Sequence, residues 1–278
     1  MARRESETEP LSQTGPLSRT KVQPMAKPST PPKRSRAAKP AAPKRNDASK
    51  PTPPASRSKD LNVADSRFVI SATNNAGLVS LEALPQIAVA GASNVGKSSL
   101  LNALLARKGL VRTSKSPGCT RLLNVFGVTF GTQPLYFVDL PGYGYAARSK
   151  SERREWGESI DSYLSESAEL ALVLILVDSR RGIGPFEDQL IDWLQTQARS
   201  MEIVVTKLDK LPKAKQKPTM AAFKAELKAR AAPMALSPIP VVGTSSETGE
   251  GIPHLRDRCL RAALTHLTTP APKVVTNA

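Results

Sequence analysis

Cysteine, aromatics, long apolar runs and acidic residues are all scarce in this chain, and each shortage closes off a class. Of 278 residues, 2 are cysteine and 2 histidine, and aromatics make up 4%. Cys119 and Cys259 do not make a disulfide framework, and no CxxC or HExxH accompanies them for zinc. The longest strongly apolar run, Leu170 to Val177, is far too short to cross a bilayer, so no membrane partner is expected. The N-terminus is basic without an apolar core behind it, which argues against a secretory signal, and Glu5, Glu7 and Glu9 argue against a transit peptide. A reduced, cytoplasmic protein is the expectation.

The shortage of acid is uneven. Lys and Arg number 40 against 24 Asp and Glu, a formal net charge of +16. Residues 1 to 60 hold 14 of the basic and 5 of the acidic groups, with 11 of the 24 prolines, and the first aromatic is Phe68. Such a segment cannot bury enough apolar surface to offset its ordering entropy. It reads as a disordered tail, either solubilising or polyanion-binding, followed by a single domain over 61–269 and a flexible C-terminal tail over 270–278.

In the domain, short apolar runs alternate with helical patterns. Ile87 to Gly91, Leu135 to Asp139, Leu170 to Asp178 and Ile203 to Thr206 read as strands buried on both faces, with a weaker, Pro-interrupted run at Ile239 to Thr244. Leu122 to Phe130 reads as an additional strand, antiparallel to its neighbour. Helices are predicted at Lys97 to Ala106, Arg153 to Ser165, Pro185 to Ala198, Pro218 to Ala231 and Ile252 to Leu267. The last carries an apolar stripe of Ile252, Leu255, Cys259, Leu260, Ala263, Leu264 and Leu267. The predicted class is α/β, a mostly parallel six-stranded sheet with helices on both faces.

Gly91, Ala92, Ser93, Asn94, Val95, Gly96, Lys97 and Ser98 satisfy G-x-x-x-x-G-K-[ST] between a predicted strand and a predicted helix. Glycines let successive N–H groups turn toward phosphate oxygens, and the helix N-terminus adds partial positive charge. Lys97 would sit on the β- and γ-phosphates and Ser98 would offer its hydroxyl to Mg²⁺. Asp139, Leu140, Pro141 and Gly142 end a strand downstream, where an Asp can hold a Mg²⁺-bound water and a Gly N–H can reach the γ-phosphate. Thr206, Lys207, Leu208 and Asp209 supply the base reading. A carboxylate at Asp209 can accept from guanine N1–H and N2–H₂, donors adenine lacks, while the Lys207 stem lies across the purine. Thr244, Ser245 and Ser246 fit a loop whose backbone N–H meets the guanine carbonyl oxygen. Between the first two motifs, Gly118, Cys119, Thr120, Arg121 and Leu122 form a candidate nucleotide-contacting switch, in which Thr120 would join the Mg²⁺ shell only with a γ-phosphate present.

These stretches, with the Gly142-Tyr143-Gly144-Tyr145 extension and Leu176-Val177-Asp178-Ser179-Arg180, resemble the EngB (YihA/YsxC) GTPases of the TrmE-Era-EngA-EngB-Septin-like class. The resemblance runs from about Phe68 to about Leu267. It departs at Ala92, where a basic residue is usual, and at Thr244, where Phe is common. It implies a Ras-like GTPase domain binding GTP and GDP, with Ser98 and Thr120 as Mg²⁺ ligands. It also implies a role in assembling the large ribosomal subunit, linked to cell division and septation. Basic residues Arg107, Lys108, Arg112, Lys115 and Arg121 around the first switch fit a polyanionic partner. The alternative is a septum or cytoskeletal interaction protein using GTP as a conformational cofactor. A monomer is expected. Tyr143 stands where Ras-like enzymes usually place a water-orienting Gln, so slow intrinsic hydrolysis is expected, with Lys97 and Thr120 as catalytic candidates. Asn94 matches an Asn that binds K⁺ in related GTPases, and completes the catalytic set as a candidate.

Overall fold

Nine consecutive buried residues, Leu170–Asp178, form the strand on which the sheet is built. The computed structural model describes residues 61–111, 122–142, 160–231 and 237–269. In chain order the described elements are β1 (Val63–Ala72), β2 (Gln86–Gly91), α1 (Lys97–Leu104), β3 (Leu123–Phe130), β4 (Gln133–Asp139) and β5 (Leu170–Asp178). They continue with α2 (Pro185–Thr196), β6 (Met201–Thr206), α3 (Lys213–Ala231), β7 (Val241–Gly243) and α4 (Ile252–Thr268). A helical segment also covers residues 160–166. The predicted helix from Arg153 is seen only in that segment, its first residues lying outside those described.

The sheet order is β1-β3-β4-β2-β5-β6-β7. β4, β2, β5, β6 and β7 run parallel, and β3 is antiparallel to both β1 and β4. Side chains alternate between the two faces, as the pleat requires. Ala88, Ala90, Val173, Ile175, Val177, Ile203 and Val205 meet Tyr163, Leu164, Ile191, Leu194, Phe223 and Leu227 on one side. Ile87, Val89, Leu172, Leu174, Leu176 and Val204 meet Leu100, Leu101, Leu104, Leu255 and Cys259 on the other. Helices therefore cover both faces, which is why the central strands read as unbroken apolar runs.

The sheet has seven strands where six were expected. Val63–Ala72 escaped the pattern because it is an edge strand with only Ser66 and Ala72 buried, so its polar and apolar residues do not alternate. Register irregularities at Val63/Asp65 and Phe68/Ile70 blur it further. Phe68 nevertheless packs edge-to-face on Phe126, with ring centroids 5.7 Å apart. α3 begins five residues earlier than predicted, with Pro218 inside it. The ring removes the bond that Ala214 would accept, and Ala214 is exposed, so water can satisfy that carbonyl. β7 is shorter than its predicted run because Pro238 and Pro240 cannot donate to a ladder, although the Pro240 carbonyl accepts from Ile203 N at 2.9 Å. Of the α4 stripe, Leu264 and Leu267 are exposed near the helix end.

α1 and α2 both stop two residues before their predicted ends. Ala106 and Ala198 take φ of 51°, and the N–H groups of Arg107 and Arg199 bond back to the carbonyls of Asn102 and Leu194, each at 3.0 Å. This is a helix-ending turn usually marked by glycine, here made by alanine, so the sequence hides it. Exposed Ala198 bears the cost of a left-handed Cβ. Ala198→Gly is expected to raise stability by about 0.5–1 kcal/mol and Ala198→Val to lower it, read from urea unfolding midpoints.

Candidate functional site

All five parallel strands deliver their C-terminal ends to one edge of the sheet, the edge at which open α/β sheets bind ligands. β2 ends at Gly91, whose flesh is the backbone alone. A Cβ there would lie 2.8 Å from Val95 Cγ1 and 3.0 Å from Leu176 Cβ. The chain turns through Asn94, with φ of 62°, and Gly96, with φ of 107°, and enters α1 at Lys97. Asn tolerates that region and Gly favours it. The result is a backbone cradle at a helix N-terminus, built to receive phosphate. Gly142 closes on it, since a Cβ there would lie 3.4 Å from Ser93 Oγ and 3.6 Å from the Gly91 carbonyl oxygen.

Asp139 is almost wholly buried beside this loop and forms an ion pair with the Lys97 ammonium. Burial raises its pKa, and the opposing pull of Lys97 and a hydrogen bond from Asn124 do not fully offset it. Asn124 reaches Asp139 because antiparallel β3 and β4 set the two residues opposite one another. Ser98 lies one residue beyond Lys97 at the start of α1. Among the described residues no three His, Cys, Asp or Glu side chains cluster as a metal cage. One hydroxyl and one buried carboxylate beside a phosphate cradle suit a hard cation such as Mg²⁺, which takes its other oxygens from phosphate and water.

The rest of the edge, from β6 and β7, is assembled by hydrogen bonds between the strand ends. Thr206 Oγ1 donates to the Val95 carbonyl at 2.7 Å, tying β6 to the phosphate loop. Lys207, with φ of 59°, extends past Gly96 and donates to the Asn94 carbonyl and, at 3.0 Å, to Asp178 Oδ2. Asp178 also takes two bonds from the Arg180 guanidinium, at 2.9 and 2.8 Å. Those partners hold its carboxyl far below the usual carboxylate range. Asp209 accepts from Ser245 Oγ at 2.7 Å and pairs with Lys210 at 3.0 Å, and the Ser245 bond leads in lowering its pKa. Asp209 is thus a fixed, ionised acceptor. Ser245 Oγ in turn accepts from the N–H groups of Glu247 and Thr248. The Thr244 and Ser245 N–H groups bond to the Val205 and Glu250 carbonyls, at 2.7 and 2.9 Å. Beyond this loop Gly251 opens α4 with φ of 76°, and a Cβ there would run into the Gly243 carbonyl.

The fold therefore gathers Gly91 to Ser98, Asp139 to Gly142, Thr206 to Asp209 and Thr244 to Ser246 at one edge. Leu122 directly precedes β3. Gly118, Cys119, Thr120, Arg121 and Tyr143 lie outside the described residues. Two contributors escaped sequence reasoning as individual groups. Asp178 ends its strand as Asp139 ends its own, which was a usable signal. Asn124 carried none, because only the β3–β4 register places it.

A strand, a glycine-bearing phosphate loop and a helix opening with Lys-Ser, joined to a buried strand-end Asp and a fixed, ionised carboxylate at the same edge, define a Ras-like P-loop GTPase domain. The family model described as 50S ribosome-binding GTPase matches residues 86–207. The chain is 43% identical over 184 residues to the probable GTP-binding protein EngB of Shouchella clausii, covering 66% of this chain and 87% of that one. It is 45% identical over 156 residues to the EngB of Chlorobaculum tepidum, covering 56% and 79%. Among solved structures, Aquifex aeolicus Era bound to GDP and AlF₄⁻ is similar in fold, with a TM-score of 0.53 and 24% identity over 65% of this chain and 57% of that one. The chain belongs to the EngB family of GTP-binding proteins, and it is a GTPase.

Two substitutions test the base side. Asp209→Asn replaces an acceptor pair by an amide that suits xanthine, so GTP affinity is expected to fall by about a hundredfold and xanthosine triphosphate to gain, as measured by calorimetry. Asp178→Asn loosens Lys207 and is expected to weaken GDP and GTP alike by about tenfold. It also carries a pH signature. The Asp178 pKa is lowered in the folded state, so its stabilisation is complete above the unfolded carboxylate pKa and fades as pH falls toward the folded one. Acid unfolding curves of Asp178→Asn should therefore be flatter than wild type below about pH 4.

Proposed function

We propose that this GTPase is a nucleotide-switched assembly factor for the large ribosomal subunit, working as a cytoplasmic monomer on precursor particles of rRNA and ribosomal proteins. The observation that carries the reading is the match of residues 86–207 to the model described as 50S ribosome-binding GTPase. A net charge of +16 suits an RNA-rich partner. In this reading Asp209 and Lys207 select guanine, the Gly91–Gly96 turn and Lys97 hold the phosphates, and Ser98 with Thr120 hold Mg²⁺. That ion would neutralise charge on the phosphates. Thr120 and Gly142 would sense the γ-phosphate, so that affinity for the particle follows nucleotide state. A link to division and septation would then follow from ribosome supply.

Sucrose-gradient co-sedimentation tests this directly. The full chain loaded with a non-hydrolysable GTP analogue should travel with large subunits, and the GDP form should be released. Failure to travel with them in either state would overturn the reading and turn attention to a septal or cytoskeletal partner.

Slow intrinsic hydrolysis belongs to the same proposal, with Tyr143 in the place of a water-orienting Gln. We further read Asn94 as a K⁺ ligand, since its backbone is already positioned in the phosphate loop and its side chain is exposed. K⁺ should accelerate hydrolysis over Na⁺ at equal ionic strength. Asn94→Gly keeps the left-handed backbone while removing the amide, and is expected to abolish that difference with nucleotide affinity largely retained. Equal rates for the wild type in the two salts would sink the ion assignment.

A further inference from the structure

Charge on the surface of α3 is strongly one-sided. It carries Lys213, Lys215, Lys217, Lys224, Lys228 and Arg230 against a single acid, Glu226. Arg230 is neutralised by Asp188 and Asp192 of α2. The five lysines are exposed, and none forms an ion pair with a described residue. At about 100° per residue, Lys213, Lys217, Lys224 and Lys228 fall within an arc of about 60°, in a row about 22 Å long. Arg230 and its acids lie about 130° round the helix from the middle of that row, and Glu226 is displaced by a similar angle or more. The row thus has no carboxylate of its own helix beside it.

We propose that this lysine row is an RNA-binding surface that grips the phosphate backbone. The choice of RNA over an acidic protein rests on what accompanies the lysines. Protein interfaces are depleted in Lys and anchored by large apolar or aromatic side chains. The exposed large hydrophobics of the described residues are Phe68, Val79, Leu264 and Leu267, none of them on α3. Beside the row α3 exposes Ala214, Ala221 and Ala225, which let a backbone approach closely without offering an anchor. A ladder of ammonium groups on a smooth helix suits repeated phosphates, which need charge and reach but no pocket.

The row is also fixed relative to the nucleotide. Gln216 on the packed side of α3 donates to the carbonyls of Leu208 and Leu211, at 3.0 and 3.2 Å. Met220 packs over Gly243 beside Leu208. The helix that would hold RNA is therefore braced directly onto the loop that carries Asp209. The inference deepens the assembly-factor reading and rests on it for the identity of the RNA.

The test uses the full chain, loaded with a non-hydrolysable GTP analogue, and two probes: purified large ribosomal subunits and protein-free rRNA extracted from them. Binding is measured across a KCl series for wild type and for a variant combining Lys213→Gln, Lys217→Gln, Lys224→Gln and Lys228→Gln. The variant should bind both probes at least tenfold more weakly near 0.1 M salt, with the log-affinity against log-salt slope shallower by about 3. The corresponding four Lys→Arg changes should restore binding, and GDP affinity reports that each variant is folded. Unchanged slopes on both probes would overturn the surface while leaving the assembly reading intact. Loss on subunits but not on bare rRNA would overturn it in favour of a protein partner. Wild type that binds bare rRNA through these lysines but ignores subunits would uphold the surface and overturn the assembly reading instead.

Discussion

One ammonium group joins the two halves of the nucleotide site. Lys207 leaves β6 in a left-handed turn, runs past Gly96 and bonds at once to the Asn94 carbonyl and to the Asp178 carboxylate. The phosphate loop and the loop from Thr206 to Asp209 are far apart in the chain. Thr206 adds a second tie to Val95. A short turn with two left-handed residues has little stiffness of its own, so its shape depends on these ties to strands that are themselves buried on both faces. Much of the local geometry then follows: Gly96 takes a φ of 107° that favours glycine, the Lys207 stem passes it at ordinary contact distance, and Asp178 must stay ionised to hold that stem.

Three carboxylates at the same sheet edge are held in three different ways. Asp139 is pushed up by burial despite its pairing with Lys97. Asp178 is held down by a guanidinium and an ammonium. Asp209 is held down by a serine hydroxyl that is itself steadied by two backbone N–H groups. The first environment makes a carboxylate responsive to added positive charge nearby, because a cation relieves the cost of its burial. The other two make carboxylates that keep their charge and position whatever arrives. Division of labour at the site is thus electrostatic before any ligand is considered.

Much of this was legible in the sequence because strand burial and phosphate-loop chemistry both leave local marks. Ile87 to Gly91 followed by Lys97-Ser98 announces strand, turn and helix in one stretch, and Leu170 to Val177 announces a strand with two covered faces. What stayed hidden was set by pairing or by geometry without composition. β1 presents no clean alternation, with only Ser66 and Ala72 of its residues fully buried, and its ladder is formed with β3. The ends of α1 and α2 were obscured by alanines in turns where glycine is the usual sign. Asn124 became part of the site only through the register that sets it across from Asp139. Within the Thr244–Ser246 loop, whose motif offers a backbone N–H to the base, those of Thr244 and Ser245 are engaged within the protein, and the Ser245 hydroxyl bonds to Asp209.

Gly251 touches nothing that chemistry requires, yet its place is as constrained as that of Asp209. Its left-handed backbone and the nearby Gly243 carbonyl leave no volume for even a methyl group. Any larger residue would prise β7 from the start of α4 and carry the Thr244–Ser246 loop with it. Invariance at such a position would therefore record steric exclusion, and a map of tolerated substitutions would mark it as indispensable for a reason unrelated to nucleotide contact.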